Sequence, residues 1–118
     1  ALEKDAAKQA IFKPGGKRET FQRGRVDWYG RDPQWQDERG FRGRNDVQSP
    51  HGQWTRMDVF CDGGHIETFV NGTKVNEAFD VTPNEGRIQL QTELAEIFYR
   101  RWELWPLDKG PKPEPAQQ

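Results

Sequence analysis

His65 and Glu67 are the titratable residues of this sequence that are best spaced for proton transfer. They lie two positions apart in the segment 65–70, a predicted strand with Ile66, Thr68 and Val70 on its other face. Because side chains of a β-strand alternate between its two faces, His65 and Glu67 are expected on one face. An imidazole and a carboxylate on one face form a polar cluster that can act as a base. The alternative is a surface histidine beside a surface glutamate after a turn.

Aromatic rings and planar polar groups, which together suit a saccharide, are both present. A pyranose offers an apolar side to a flat ring and pairs of hydroxyls to amides and carboxylates. We therefore predict five substrate-binding residues, namely Trp28, Trp35, Trp54, Gln89 and Gln91. In the competing interpretation Trp54 is a core residue and the two glutamines form a solvated strand face. For Trp28 and Trp35, which lie in a loop-like region, neither interpretation is favoured.

Composition excludes several other kinds of site. One cysteine, Cys61, and two histidines cannot supply a zinc site of the Cys/His kind, so a divalent metal would need carboxylates. The segments 23–25 (RGR) and 39–44 (RGFRGR) are rich in arginine and glycine, but acidic residues are interspersed and the pI is about 6.2, so no nucleic-acid partner is predicted. No apolar run is long enough to span a membrane.

The C-terminal half has the pattern of short antiparallel strands. Turn signals separate segments of alternating polarity, and Asn71-Gly72 is the strongest hairpin signal. The predicted strands are 54–61, 65–70, 73–79, 87–91 and 95–104, with the face of Met57, Val59 and Cys61 directed inward and Ile88 and Leu90 also inward. Five strands do not close a sandwich, so partner strands must come from upstream sequence, another chain or the front segment.

The remainder of the chain divides at changes in composition. Residues 1–16 read as a short helix or frayed end, because Pro14-Gly15-Gly16 interrupts any helix. Residues 17–53 read as a long loop with a possible strand at 25–29, and residues 54–107 hold the sandwich strands. Residues 108–118 are rich in proline and polar side chains and are predicted to be disordered.

Six short motifs resemble, in their order and spacing, the C-terminal half of the 3-keto-disaccharide hydrolase family. They are GQW at 52–54, VFCDGGHIE at 59–67, VNG at 70–72, GRIQLQ at 86–91, AEIFYR at 95–100 and LWPL at 104–107. The resemblance implies an all-β fold, an antiparallel concanavalin-like β-sandwich or jelly roll, which we expect to be incomplete in this chain. It also implies a bacterial protein of periplasmic or extracellular location.

The resemblance further implies cleavage of a 3-keto glycoside by a hydrolase or a lyase. A 3-keto group acidifies the hydrogen on C2, so His65 or Glu67 would remove it while Arg100 or a divalent metal stabilises the charge on oxygen. Two alternatives remain open at this stage. One is a non-catalytic carbohydrate-binding module, and the other is a partner chain that completes the sandwich of another subunit.

Overall fold

The protein forms two three-stranded β-sheets that contact each other at one place. A computed structural model describes residues 1–4, 10–32 and 34–116. The strands in these ranges are β1 (Leu2–Lys4), β2 (Ala10–Phe12), β3 (Val26–Asp27), β4 (Met57–Asp62), β5 (His65–Val70) and β6 (Thr73–Ala78). The described part of the chain contains no helix, and so none that could cross a membrane. The prediction of an all-β fold is therefore confirmed.

Strands β4, β5 and β6 form an antiparallel meander. Its second hairpin turns at Asn71 and Gly72, whose φ angles of 47° and 84° are the positive values that a two-residue hairpin loop requires. A β-bulge interrupts the β5–β6 pairing, because Thr68 pairs with Asn76 whereas Phe69 pairs with Lys74. Val75 is the extra residue. Each side chain of β6 after Val75 therefore lies on the opposite face of the sheet from the one it would occupy without the bulge.

The front of the chain supplies the other sheet. Strand β2 pairs antiparallel with β1 and parallel with β3. The front segment therefore supplies partner strands, as one of the three predicted sources, although its strands are short.

The core lies where β2 meets β6. Ala10, Ile11 and Phe12 are buried, and Val70 and Val75 of the meander are completely buried. The backbone N–H of Tyr29 donates to the carbonyl oxygen of Val75 at 2.8 Å, which joins the front segment to the bulge. Packing and backbone bonding therefore hold the two sheets together at one place.

Several predicted elements differ from the structure. Residues 2–4 belong to a strand rather than a helix, since they pair with β2, while the rest of the predicted helix falls largely outside the described residues. Segments 87–91 and 95–104 are not strands, because no neighbouring strand among the described residues accepts their backbone hydrogen bonds. Ile88 and Leu90 accordingly lie exposed, at 67% and 45%, instead of inward.

The predicted inward face of β4 and the C-terminal tail also differ from what the sequence predicts. Met57, Val59 and Cys61 are exposed, because the front segment covers only part of that face. Residues 112–116 lie against the β5–β6 hairpin, where Arg56 donates to the carbonyl oxygen of Lys112 and pairs with Glu114. Polar contacts of this kind order a segment that has too few apolar residues to pack.

Burial of Val75 predicts a clear stability difference between two valine truncations. Val75→Ala removes two completely buried methyl groups and should lower the free energy of unfolding by about 2 kcal/mol. Val59→Ala, at a residue 51% exposed, should change it by less than about 0.5 kcal/mol. Urea unfolding followed by tryptophan fluorescence measures both, and equal losses would contradict the core assignment.

Candidate functional site

A cleft of about 500 Å³ lies between the front segment and one face of the β4–β5–β6 sheet. Met57, Thr68 and Asn76 form its floor, one from each strand. Thr68 and Asn76 are cross-strand partners, and alternation places Met57 on the same face. Its volume falls within the range of small-molecule sites.

Two tryptophans of the front segment line this cleft. Trp28 follows β3 directly and is half-buried, whereas Trp35 is 45% exposed. The guanidinium of Arg31 lies 4.6 Å from the centre of the Trp35 ring, which leaves the opposite face of that ring for other contacts. The structure thus brings together the two loop tryptophans predicted to bind substrate.

Asp32 holds the loop that carries these aromatic residues. Its carboxylate accepts hydrogen bonds from the backbone N–H of Gln34 at 2.8 Å and from that of Arg44 at 3.1 Å. These two bonds hold the pKa of Asp32 below its ordinary value, because they stabilise the ionised form. Gly43 packs so closely here that a Cβ would lie 2.7 Å from the Cβ of Asp32. The side chain of Asp32 therefore holds two backbone segments of the cleft wall together, one at Gln34 and one at Arg44.

Polar groups complete the lining of the cleft. Asp27, Arg31 and Asp46 supply charges, and Gln48 and Asn76 supply neutral polar groups. Asp46 accepts a hydrogen bond from the backbone N–H of Gln48 at 3.0 Å, which fixes the direction of its carboxylate. The arrangement offers planar acceptors and donors beside aromatic surface, the combination that suits a polyhydroxylated ligand.

The opposite face of the same sheet carries a second polar cluster. His65, Glu67 and Glu77 each present one nitrogen or oxygen atom within 4.8 Å of the others. His65 Nε2 lies 2.8 Å from Glu77 Oε2, and Lys74 Nζ lies 2.6 Å from Glu67 Oε2. The prediction that His65 and Glu67 share a face agrees with this geometry. We refer to His65, Glu67, Lys74 and Glu77 as the His65 cluster.

Charges within the His65 cluster are closely coupled. The hydrogen bond from His65 lowers the pKa of Glu77, and the nearby Lys74 lowers it further. The hydrogen bond to Glu67 raises the pKa of Lys74, so the ammonium form is favoured. Since an ionised Glu77 only accepts hydrogen bonds, His65 Nε2 carries the hydrogen of this bond, and Nδ1 is the nitrogen that has the lone pair whenever the imidazole is neutral. The cluster therefore holds one base and one cation.

A divalent metal does not fit the His65 cluster as it stands. Two carboxylates and an imidazole are suitable ligands, but Lys74 Nζ lies 2.6 Å from Glu67 and 3.4 Å from Glu77. The ammonium already neutralises the oxygens that a metal would need. Lys74 is the cation that the structure places in this cluster, whereas the sequence analysis named Arg100 or a metal.

The other predicted site residues lie elsewhere. The guanidinium of Arg100 lies over the ring of Trp54, 4.2 Å from its centre. Gln89 and Gln91 are exposed in a segment without regular structure, so no strand aligns them with the cleft. The cleft and the His65 cluster lie on opposite faces of one sheet, and the predicted residues therefore do not form a single site.

Sequence reasoning missed Lys74 and Glu77 in the cluster and the charged residues of the cleft. Lys74 and Glu77 lie in a strand that the sequence does predict, but the facing of Glu77 depends on the bulge at Val75. The hairpin signal at Asn71-Gly72 would have placed Lys74 near Glu67. No periodic pattern marks Asp27, Arg31 or Asp46, because they lie at a strand end or in loops.

Comparison with known proteins identifies the family. The 3-keto-alpha-glucoside-1,2-lyase-like domain matches residues 10–104, a range that includes both the cleft and the His65 cluster. The chain belongs to this family. The resemblance seen in residues 52–107 is confirmed, and the match also takes in the front segment. Membership makes the function of the domain carbohydrate-related. No curated protein and no solved structure matches the chain.

The lowered pKa of Glu77 predicts a change in acid stability. A carboxyl group whose pKa is lowered on folding stabilises the protein above its ordinary pKa, and that stabilisation disappears as the pH falls through the lowered value. Glu77→Gln should therefore be less stable than the wild type near pH 6, and the gap should close as the pH falls below the ordinary pKa of 4.5 and through the lowered value. Urea unfolding across this range measures the gap. Glu85→Gln, at an exposed glutamate, is the matched control, and a gap independent of pH would contradict the assignment.

Proposed function

We propose that the protein binds a glycoside of the 3-keto α-glucoside class in the cleft between the front segment and the sheet. The observation that supports the proposal is the pair Trp28 and Trp35 in a cleft that carboxylate, amide and guanidinium groups also line. Indole rings pack against the C–H side of a pyranose, and the surrounding carboxylates and amides pair with its hydroxyls. The name of the family points to the same class of ligand.

The charged residues that line the cleft restrict the class of ligand further. Asp27, Asp32 and Asp46 line it, with Arg31 as the cationic residue among the lining groups. A ligand carboxylate, sulfate or phosphate would meet like charge, and like charges at close range are unfavourable. The proposed ligand is therefore a neutral glycoside.

Truncation of the aromatic surface tests this binding site. Trp28→Ala and Trp35→Ala should each raise the dissociation constant for methyl 3-keto-α-D-glucopyranoside by about threefold to tenfold, the cost of one lost stacking contact. Isothermal titration calorimetry measures the constant. Trp102→Ala, at a tryptophan 63% exposed and outside the cleft, is the matched control and should bind as the wild type does. Unchanged binding by both cleft variants would overturn the proposal.

A second candidate function is elimination at the His65 cluster. The observation that favours it is a base and a cation held side by side, His65 paired with Glu77 and Lys74 paired with Glu67. Phe79 stacks on His65, with ring centres 4.8 Å apart, and fixes the plane of the imidazole. These groups match the needs of a β-elimination next to a ketone.

The proposed elimination uses groups of the chain at each step. His65 Nδ1 takes the proton from C2, and the electron pair moves toward the C3 ketone oxygen, which Lys74 stabilises as an enolate. The ketone then re-forms, a C1–C2 double bond forms, and the C1–O bond breaks. The imidazolium of His65 returns a proton to the leaving oxygen. The products are an alcohol and an unsaturated 3-keto sugar, and no water is consumed.

Substitution of the proposed base tests the elimination. His65→Gln should lower the rate of alcohol release from methyl 3-keto-α-D-glucopyranoside by at least about a hundredfold, the usual contribution of a general base. Ultraviolet absorbance of the conjugated product and methanol release both report the reaction. His51→Gln, at an exposed histidine outside the cluster, should retain the wild-type rate. Turnover that survives His65→Gln, or a wild type without turnover, would contradict this second function.

The two candidate functions are separable by mutation. Thr68 belongs to the floor of the cleft, and its neighbour Glu67 belongs to the His65 cluster on the other face. Tryptophan variants of the cleft should change binding there, whereas variants of the cluster should change turnover. A protein that binds the glycoside and shows no turnover is the carbohydrate-binding module considered from the sequence.

A further inference from the structure

The two edges of the β4–β5–β6 meander differ in what protects them. At the β6 edge, the carbonyl oxygen of Val75 accepts from the backbone N–H of Tyr29, and the bulge at Val75 makes the edge irregular. Strand β4 is the other edge; it pairs with β5 without a bulge and contains neither lysine nor proline. Bulges, lysines, prolines and covering segments are the usual protection of a sheet edge. The edge of β4 is therefore one at which a further strand can pair.

The backbone groups at the free edge of β4 belong to Met57, Val59 and Cys61. The N–H of Asn71 donates to the carbonyl oxygen of Arg56, so Arg56 and every second residue after it bond to β5. The residues between them direct their N–H and C=O groups away from β5, and no backbone group of another described residue bonds to them there. Their side chains are exposed as well, Met57 at 55% and Val59 at 51%. The edge thus presents unpaired backbone groups beside an apolar stripe.

We infer that a second copy of this chain pairs with β4 in antiparallel orientation, about a two-fold axis at Val59. In this register Val59 lies opposite its own equivalent, and Met57 lies opposite Cys61 of the second copy. The outward backbone groups of these residues then meet in hydrogen-bonded pairs. Arg56 lies opposite Asp62 of the second copy. Since opposed residues share a face, apolar side chains meet on the cleft face and opposite charges meet on the other face.

The charges of β4 select this register over its neighbours. An axis at Asp58 would place that carboxylate opposite its own equivalent, and an axis at Phe60 would place Asp58 opposite Asp62. Like charges directly opposite each other destabilise a strand pair. The axis at Val59 avoids both pairs and brings the exposed Asp62 to an arginine. The strand is therefore complementary to itself, which favours a second copy over an unrelated strand.

Pairing through β4 also bears on the cleft. Met57 belongs to the cleft floor, and Val59, the cross-strand partner of Thr68, lies on the same face of the sheet. A second copy therefore extends the floor beyond Met57 and places two clefts on one face of a six-stranded sheet. Because β4 has six residues, the interface is smaller than the standard size, and the dimer should dissociate below about 10 µM.

Sedimentation equilibrium of the full chain in reducing buffer tests the inference. At about 1 mM the wild type should have nearly twice the 13.8 kDa mass of one chain, and dilution below the dissociation constant should return it to that mass. Val59→Lys places like charges on the axis and should stay monomeric throughout. Ile88→Lys makes a similar change at a residue 67% exposed outside β4 and should dimerise as the wild type does. Circular dichroism checks the fold of each variant.

A disulfide across the axis tests the register. Val59→Cys combined with Cys61→Ala places the two introduced thiols directly opposite each other, where Cα atoms lie about 5.5 Å apart, within the range of a disulfide. Mild oxidation should link this variant into a covalent dimer. Met57→Cys combined with Cys61→Ala, at a residue of similar exposure, is the matched control. Its two thiols are separated by more than about 13 Å along the strands and should not link.

The remaining outcomes count against the inference. A wild type that stays monomeric at about 1 mM overturns it, and so does a dimer that survives Val59→Lys. A dimer that Ile88→Lys disrupts instead, or an assembly of more than two chains, shows a different contact surface and also overturns it. Equal cross-linking of the two cysteine variants overturns the pairing about Val59. These measurements involve no glycoside, so they leave the proposed function untouched whichever way they fall.

Discussion

The side chain of Asn71 joins the β5–β6 hairpin to three other parts of the chain. Its amide nitrogen donates to the carbonyl oxygen of Val47 at 2.9 Å and to Ser49 Oγ at 3.0 Å, both in the front segment. Its amide oxygen accepts from the backbone N–H of Arg56 before β4 and from that of Ala116 in the tail. Asn71 also has a positive φ in the tight hairpin turn, so one residue determines both the strand pairing and the attachment of the front segment.

The cleft exists because the front segment is fastened to the sheet at two ends. Asn71 fixes the segment near Val47 and Ser49, and the hydrogen bond from Tyr29 to Val75 fixes it next to β3. Trp28 directly precedes the first attachment and Trp35 lies between the two, and both line the cleft. A rigid sheet that positions aromatic and polar side chains on a loop is a common way to build a binding site, since loops tolerate the irregular backbone that converging side chains need.

The two faces of the meander have different chemistry. The face toward the front segment offers Met57, Thr68 and Asn76 as the floor of the cleft, whereas the other face carries the His65 cluster. A β-bulge at Val75 makes this division possible, because it moves Glu77 to the side of Glu67 and leaves Asn76 beside Thr68. Family membership makes the function of the domain carbohydrate-related, and we propose one face of the sheet for binding and the other for proton transfer.

The sequence alone determined the strand meander, because its signals are local. The turn at Asn71-Gly72 and the alternation around it establish β4 to β6 and place His65 and Glu67 on one face. Tertiary structure decided the partners of those residues: a one-residue bulge brings Glu77 to His65, and loop packing brings Trp28 and Trp35 to one cleft. It also decided that 87–91 and 95–104 are not strands, since an alternating segment becomes a strand only when a neighbour satisfies its backbone. Pairing between distant segments produces no periodic pattern in the sequence, and local patterns therefore could not predict it.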